Sequence, residues 1–253
     1  MFILYLIFYY IIPKRPVDNY LTRYRGTCYD CFSYWLILTN NWNKHKHMKY
    51  IDFAEKFKDF PVINIADVKT AFSDFDHRRI YEWQKAGYIK KVVRSFYIFA
   101  DKILNGEEIC FIGNKLREPS YISMEYALNY YSLIPEAVFL FTSITTKNTA
   151  LFETAVGNFS YKSIKKTLFF GYILKGQGKI KYKMAEPEKA LLDFLYFRSD
   201  LKDESDISGL RINVDIYKEI VNQDKLNEYL AIFQSPVLAR KITLLNEYIQ
   251  KNA

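Results

Sequence analysis

The sequence predicts a mixed α/β (α+β) protein in which three short helices and a β-hairpin precede a larger α/β region. Three observations carry this. Apolar residues recur at helical spacing between residues 50 and 87, then give way to two β-rich runs. Beyond residue 101, β-branched and aromatic runs alternate with stretches bearing helix-start signals. Half of the 253 residues are hydrophobic, enough to bury a sizeable core, and the 25% charged fraction is ordinary for a globular protein. Three Cys cannot staple a chain of this length, which points to a reducing, cytoplasmic compartment.

Residues 1–47 differ from the rest. Met1–Ile12 is an apolar run, followed by Pro13-Lys14-Arg15-Pro16. A membrane-spanning helix needs about 20 apolar residues, so this run is too short to cross a bilayer. It also lacks a cationic start and a cleavage site. Met48 opens a more ordinary amphipathic stretch, so residues 1–47 are expected to be an atypical extension that is not part of the native chain. The rival reading is a tail that touches a membrane. Cys28 and Cys31 form a C-x2-C pair, with His45 and His47 downstream. Two histidines two residues apart point to different helix faces and do not converge on one zinc, so no metal is expected.

The next segment, 48–100, is read element by element. Tyr50, Phe53, Ala54 and Phe57 define a first helix over about residues 50–60, ended by Pro61. Val62-Ile63 is extended. Asn64 caps a second helix, 65–72, with Asp67 in its first turn. Ser73–Asp76 turns the chain and caps a third helix, whose inward stripe is Ile80, Trp83 and Gly87, with Gly87 as its end. Tyr88–Val93 and Phe96–Phe99 form a hairpin through Arg94-Ser95. This order is that of a winged helix-turn-helix.

Charge concentrates in the same place. Lys+Arg exceed Asp+Glu by 36 to 28, a net +8. From His77 to Arg94 the chain carries six basic residues and only Glu82, a local +5. Arg78, Tyr81, Glu82 and Lys85 fall on the outer face of the third helix, with Arg79 and His77 beside them. A helix that enters the major groove needs an apolar back to set its angle and long donors in front. Lys90, Lys91 and Arg94 on the wing suit flanking phosphates. The expected DNA-binding set is therefore His77, Arg78, Arg79, Tyr81, Lys85, Lys90, Lys91 and Arg94, with double-stranded DNA as partner.

Residues 101–253 read as an α/β domain. Ser123 caps a helix that carries Leu128 and Tyr131 or Ser132 inward and stops at Pro135. Val138–Thr145 reads as a buried strand. Leu168–Lys175 and Lys179–Met184 flank Gly176-Gln-Gly178 as a hairpin. No helix follows this Gly-x-Gly, so it is not read as a phosphate cradle. Lys179, Lys181 and Lys183 alternate on one face, as a guarded sheet edge or a second anion-binding surface. Pro187 starts a helix with Glu188 in its first turn and an i,i+4 pair between Lys189 and Asp193. Ser199–Gly209 reads as a loop, and two helices, about 215–233 and 237–250, close the chain around Pro236.

Several of these segments resemble a known family. They are Ala86-Gly-Tyr-Ile-Lys-Lys-Val92, Arg94-Ser-Phe-Tyr97, Pro119-Ser-Tyr-Ile-Ser-Met-Glu-Tyr-Ala-Leu128 with Leu133-Ile-Pro-Glu136, and Ala185-Glu-Pro-Glu-Lys-Ala-Leu-Leu-Asp193. Together they are similar to the AbiEi antitoxins of type IV toxin–antitoxin systems, over roughly residues 48–250. The resemblance implies a winged helix that represses its own operon at promoter repeats. It also implies a C-terminal domain that counters a nucleotidyltransferase-like toxin encoded nearby without a stable complex. It implies no catalysis and no cofactor. The family usually has Gly where Ser95 and Ser132 stand, and Ser where Tyr126 stands.

Two other functions compete. A nucleotidyltransferase needs a Gly-Ser turn before an Asp-x-Asp metal pair. Asp74-Phe-Asp76 is the only Asp-x-Asp, and no Gly-Ser precedes it within reach. A winged helix can instead dock protein, in which case its basic face is dispensable for partner binding.

Overall fold

The computed structural model describes residues 48–252 apart from Ala137. The extension and the Cys28, Cys31, His45 and His47 group lie outside the described residues. The fold is mixed α/β.

The first helix, α1 (Tyr50–Phe57), turns Phe53 and Phe57 inward. It stops three residues earlier than its apolar spacing suggests. Pro61 disfavours helical backbone at Phe60, whose N–H instead closes a turn onto the Phe57 carbonyl. Strand β1 (Ile63–Asn64) runs directly into α2 (Ile65–Ala71), and the Asn64 side chain accepts from the Ala66 N–H. Helix α3 (Arg78–Lys85) buries Ile80 and Trp83. It ends in paired bonds, Gly87 N–H to Gln84 O and Tyr88 N–H to Trp83 O, made possible by φ 78° at Gly87.

Strands β2 (Ile89–Val93) and β3 (Phe96–Phe99) form the hairpin, and β1 adds to β3, giving the order β1-β3-β2. One face of this sheet, carrying Ile63, Ile89, Tyr97 and Phe99, packs on the three helices with Phe53 and Trp83. The other face contributes Val92 and Ile98, joined by Val62, to the main core of the protein. The helix-side core thus lies wholly before residue 100, while the hairpin also joins the main core, and residues 48–252 belong to one compact unit.

Helix α4 (Gly106–Leu116) follows, started by a reciprocal cap between Asn105 and Glu108. The strands β4 (Ser120–Ile122), β5 (Leu140–Thr145), β6 (Ala150–Thr154), β7 (Gly157–Ser163), β8 (Tyr172–Lys175) and β9 (Tyr182–Ala185) build a mixed sheet of order β6-β7-β5-β4-β9-β8. β5 is buried only from Thr142 onward, and Phe139 just before it is exposed. The start of β5 runs past β4, which within β5 pairs with Ser143–Thr145. Of the three alternating lysines only Lys183 lies in β9; Lys179 and Lys181 precede it, and β9 runs between β4 and β8, so the guarded-edge reading fails: β8 is the edge.

Helix α5 (Met124–Tyr130) ends five residues before Pro135. Ser132 takes φ 58°, and the Ser132 and Leu133 N–H groups bond back to the Asn129 and Leu128 carbonyls. Ser132 is thus an exposed terminus and not part of the inward stripe. Helix α6 (Pro187–Phe197) is buried from Glu188 through Leu195. The segment read as a loop holds α7 (Glu204–Ser208), anchored by buried Ile207. The penultimate helix divides into α8 (Val214–Ile220) and α9 (Gln223–Phe233), because the Asn222 side chain caps α9 and its N–H donates to Glu188 Oε1. Pro236 is the first residue of α10 (Pro236–Lys251), not a linker.

Candidate nucleic-acid interface

Helix α3 positions the candidate residues. Ile80 and Trp83 sink into the helix-side core, and Tyr50 and Phe53 pack against the Trp83 ring. With that face fixed, His77, Arg78, Tyr81, Glu82 and Lys85 are turned to solvent, Tyr81 at 70% exposure. The helix start is held by Asp76, whose Oδ1 accepts from the Arg78 N–H at 2.9 Å. His77 precedes it without a side-chain cap and packs its ring at 5.7 Å from Phe75.

The basic groups are not equivalent. Arg78 Nε lies 3.0 Å from Asp76, but its side chain is 87% exposed. Arg79 is half-buried and paired with Glu82 at 2.8 Å. Lys85, Lys91 and Arg94 form no ion pair among the described residues. Asp76 is occupied at the helix start, a role different from that of a metal-binding Asp-x-Asp carboxylate.

The hairpin divides its two lysines. Successive strand residues point to opposite faces. Lys91 pairs with Tyr97 on the helix-side face. Lys90 pairs with Ile98, which belongs to the main core, and its ammonium donates to the Ala100 carbonyl at 2.9 Å. Lys90 is therefore directed away from the face that carries Lys91. Arg94 is exposed at the turn. Ser95 beside it takes φ 69°, and its carbonyl accepts from the Ile65 N–H at the start of α2. That bond ties the hairpin turn to the helical unit.

A second constellation lies deep in the main core, where the segments Pro119–Leu128 and Ala185–Asp193 meet. Lys189 and Asp193 are ion-paired and fully buried. Asp193 Oδ2 also accepts from the Tyr121 hydroxyl at 2.9 Å and the Ser123 hydroxyl at 2.8 Å. Burial pushes the Asp193 carboxyl up and the Lys189 ammonium down, each opposed by the other's charge. The rings of Tyr121, Phe170 and Phe233 surround the ammonium at 4.8–5.5 Å. Ser123 thus does not cap α5 with its side chain, and Thr142 Oγ1 accepts from the Tyr126 N–H in its place.

The spacing of Lys189 and Asp193 predicts the pair but not its burial. The signal for burial was the run Ala190-Leu-Leu and Phe194-Leu195 around them, which leaves α6 no solvent face. The cluster is sealed, so it supports packing and not chemistry on a substrate. No helix among the described residues is long and apolar enough to cross a membrane. No group of His, Cys, Asp and Glu that could hold a metal occurs among them. No protein-family model and no curated protein matches the chain.

Proposed function

We propose that the chain is a DNA-binding repressor and antitoxin of the AbiEi kind, with residues 48–100 acting as a winged helix. The observation that carries this is the exposed cationic face of α3, backed by a buried Ile80–Trp83 stripe, with Lys91 and Arg94 exposed on the hairpin that follows it. In this reading α3 enters the major groove, Arg78, Tyr81 and Lys85 reach base edges and phosphates, and Arg94 and Lys91 hold the neighbouring backbone. Arg79 and Lys90, each committed to a contact within the protein, contribute less. Occupancy of the promoter by this face silences the operon.

The antitoxin half of the proposal rests on the quoted segments. Two of them converge on the Lys189–Asp193 cluster. The two positions where the family has Gly, 95 and 132, both have left-handed backbone, the conformation glycine serves. A promoter–reporter assay tests the repressor role. Lys85→Glu/Lys91→Glu/Arg94→Glu is expected to release repression while Lys90→Glu largely retains it. Co-expression with the neighbouring gene tests the antitoxin role. Rescue of growth from a toxic nucleotidyltransferase supports it, and failure to rescue from any neighbouring product counts against it.

A further inference from the structure

Lys179, Lys181 and Lys183 guard no sheet edge, and the DNA reading does not use them. They line two adjoining cavities of about 410 Å³ and about 500 Å³ that share Phe111, Lys115, Glu118 and Lys181. This size is that of a small-molecule site. Lys183 and Asn114 line the first cavity, and Lys179 with the half-buried rings of Phe60 and Phe96 lines the second.

The charges in this groove are unevenly committed. Lys115 is paired with Glu118 at 2.8 Å, and Lys179 lies 3.7 Å from Asp59. Asp67 also lines the second cavity. Lys181 and Lys183 form no ion pair among the described residues, and the Lys183 ammonium rests 5.1 Å from the Tyr172 ring. Asn114 supplies an independent sign. It is 7% exposed, its Oδ1 accepts from the Lys183 N–H at 2.6 Å, and its Nδ2 has no hydrogen-bond partner. A buried donor without an acceptor is costly and uncommon in a native fold.

We propose that this groove binds a phosphate-bearing small molecule of nucleotide size. Lys183 in β9 and Lys181, just before that strand, both line the first cavity, so two cations are available to adjacent phosphates. The Phe60, Phe96 and Phe111 rings line the second cavity and form an apolar wall for the rest of the ligand. The site is independent of the α3 face.

Calorimetric titration of the full chain without DNA, using ATP and separately pyrophosphate at constant ionic strength, tests this. Saturable binding is expected, weakened about tenfold or more in Lys181→Gln/Lys183→Gln. Asn114→Asp keeps an acceptor for the Lys183 N–H and adds negative charge to the lining of the first cavity, so it should weaken binding as well. Lys85→Gln/Lys91→Gln should bind as wild type. ATP tighter than pyrophosphate supports a nucleotide seated on the aromatic wall, and equal affinities support a site that reads phosphate alone. No saturation with either probe at millimolar concentration, or undiminished binding by both groove variants, overturns the proposal.

Discussion

Ser95 and Ser132 show how a single side chain can work against its own backbone. Both hold left-handed φ, 69° and 58°, which costs a non-glycine residue about 1 kcal/mol. Ser95→Gly and Ser132→Gly are each expected to raise stability by about 1 kcal/mol in urea unfolding, with DNA affinity unchanged for Ser95→Gly. A loss of stability in either would mean the hydroxyl is the more important part. Lys189 and Asp193 present the opposite case. Breaking a buried pair by removing one partner costs about 3–5 kcal/mol, so Lys189→Met should approach that loss. Lys189→Met/Asp193→Asn keeps acceptors for Tyr121 and Ser123 and removes the buried charge. It should be more stable than Lys189→Met alone. A double variant no better than the single one would show that the ion pair is not what the cluster requires. Neither residue announces its burial through charge; only the apolar run around it does.

Among the elements, α3 and its hairpin were the most legible. A helix with a two-residue apolar stripe, a terminal glycine and two β-rich runs leaves few arrangements open. The difference between Lys90 and Lys91 was not legible as charge, because it depends on which sheet face meets which core. That difference can be measured. Lys85→Gln, Lys91→Gln and Arg94→Gln should each lower the salt slope of DNA binding by about 1, while Lys90→Gln should change it far less. Equal effects from all four would put the duplex on a different surface. Helices α4 and α7 were missed although Asn105–Glu108 and Asp203–Asp206 each form a reciprocal cap. Each follows a stretch with little apolar periodicity. The break between α8 and α9 was hidden because Asn222 interrupts a pattern that stays amphipathic on either side.

At the scale of the molecule, the three-stranded sheet of the helical unit packs its second face into the core of the larger α/β region. Val62, Val92 and Ile98 lie in the same core as Ile112, Tyr121 and Leu192. Deleting residues 101–253 exposes this apolar face, so the isolated segment 48–100 is expected to be poorly folded by circular dichroism. The full chain should unfold in one transition by tryptophan fluorescence and far-ultraviolet signal alike. The sequence marks the order of elements well, but it does not reveal that the hairpin serves two cores, since that depends on contacts far apart in the chain. The central claim concerns the exposed cationic face of α3, and anisotropy with duplex DNA from the chain's own promoter tests it most directly. Four exposed groups can meet phosphates: Lys85, Lys91 and Arg94, and Arg78 where a phosphate replaces Asp76 as its partner. Between about 50 and about 300 mM salt, log K should fall against log salt with a slope of about −3.6. Lys85→Glu/Lys91→Glu/Arg94→Glu should lose binding. A flat salt response, or a triple variant that binds as wild type, would contradict it.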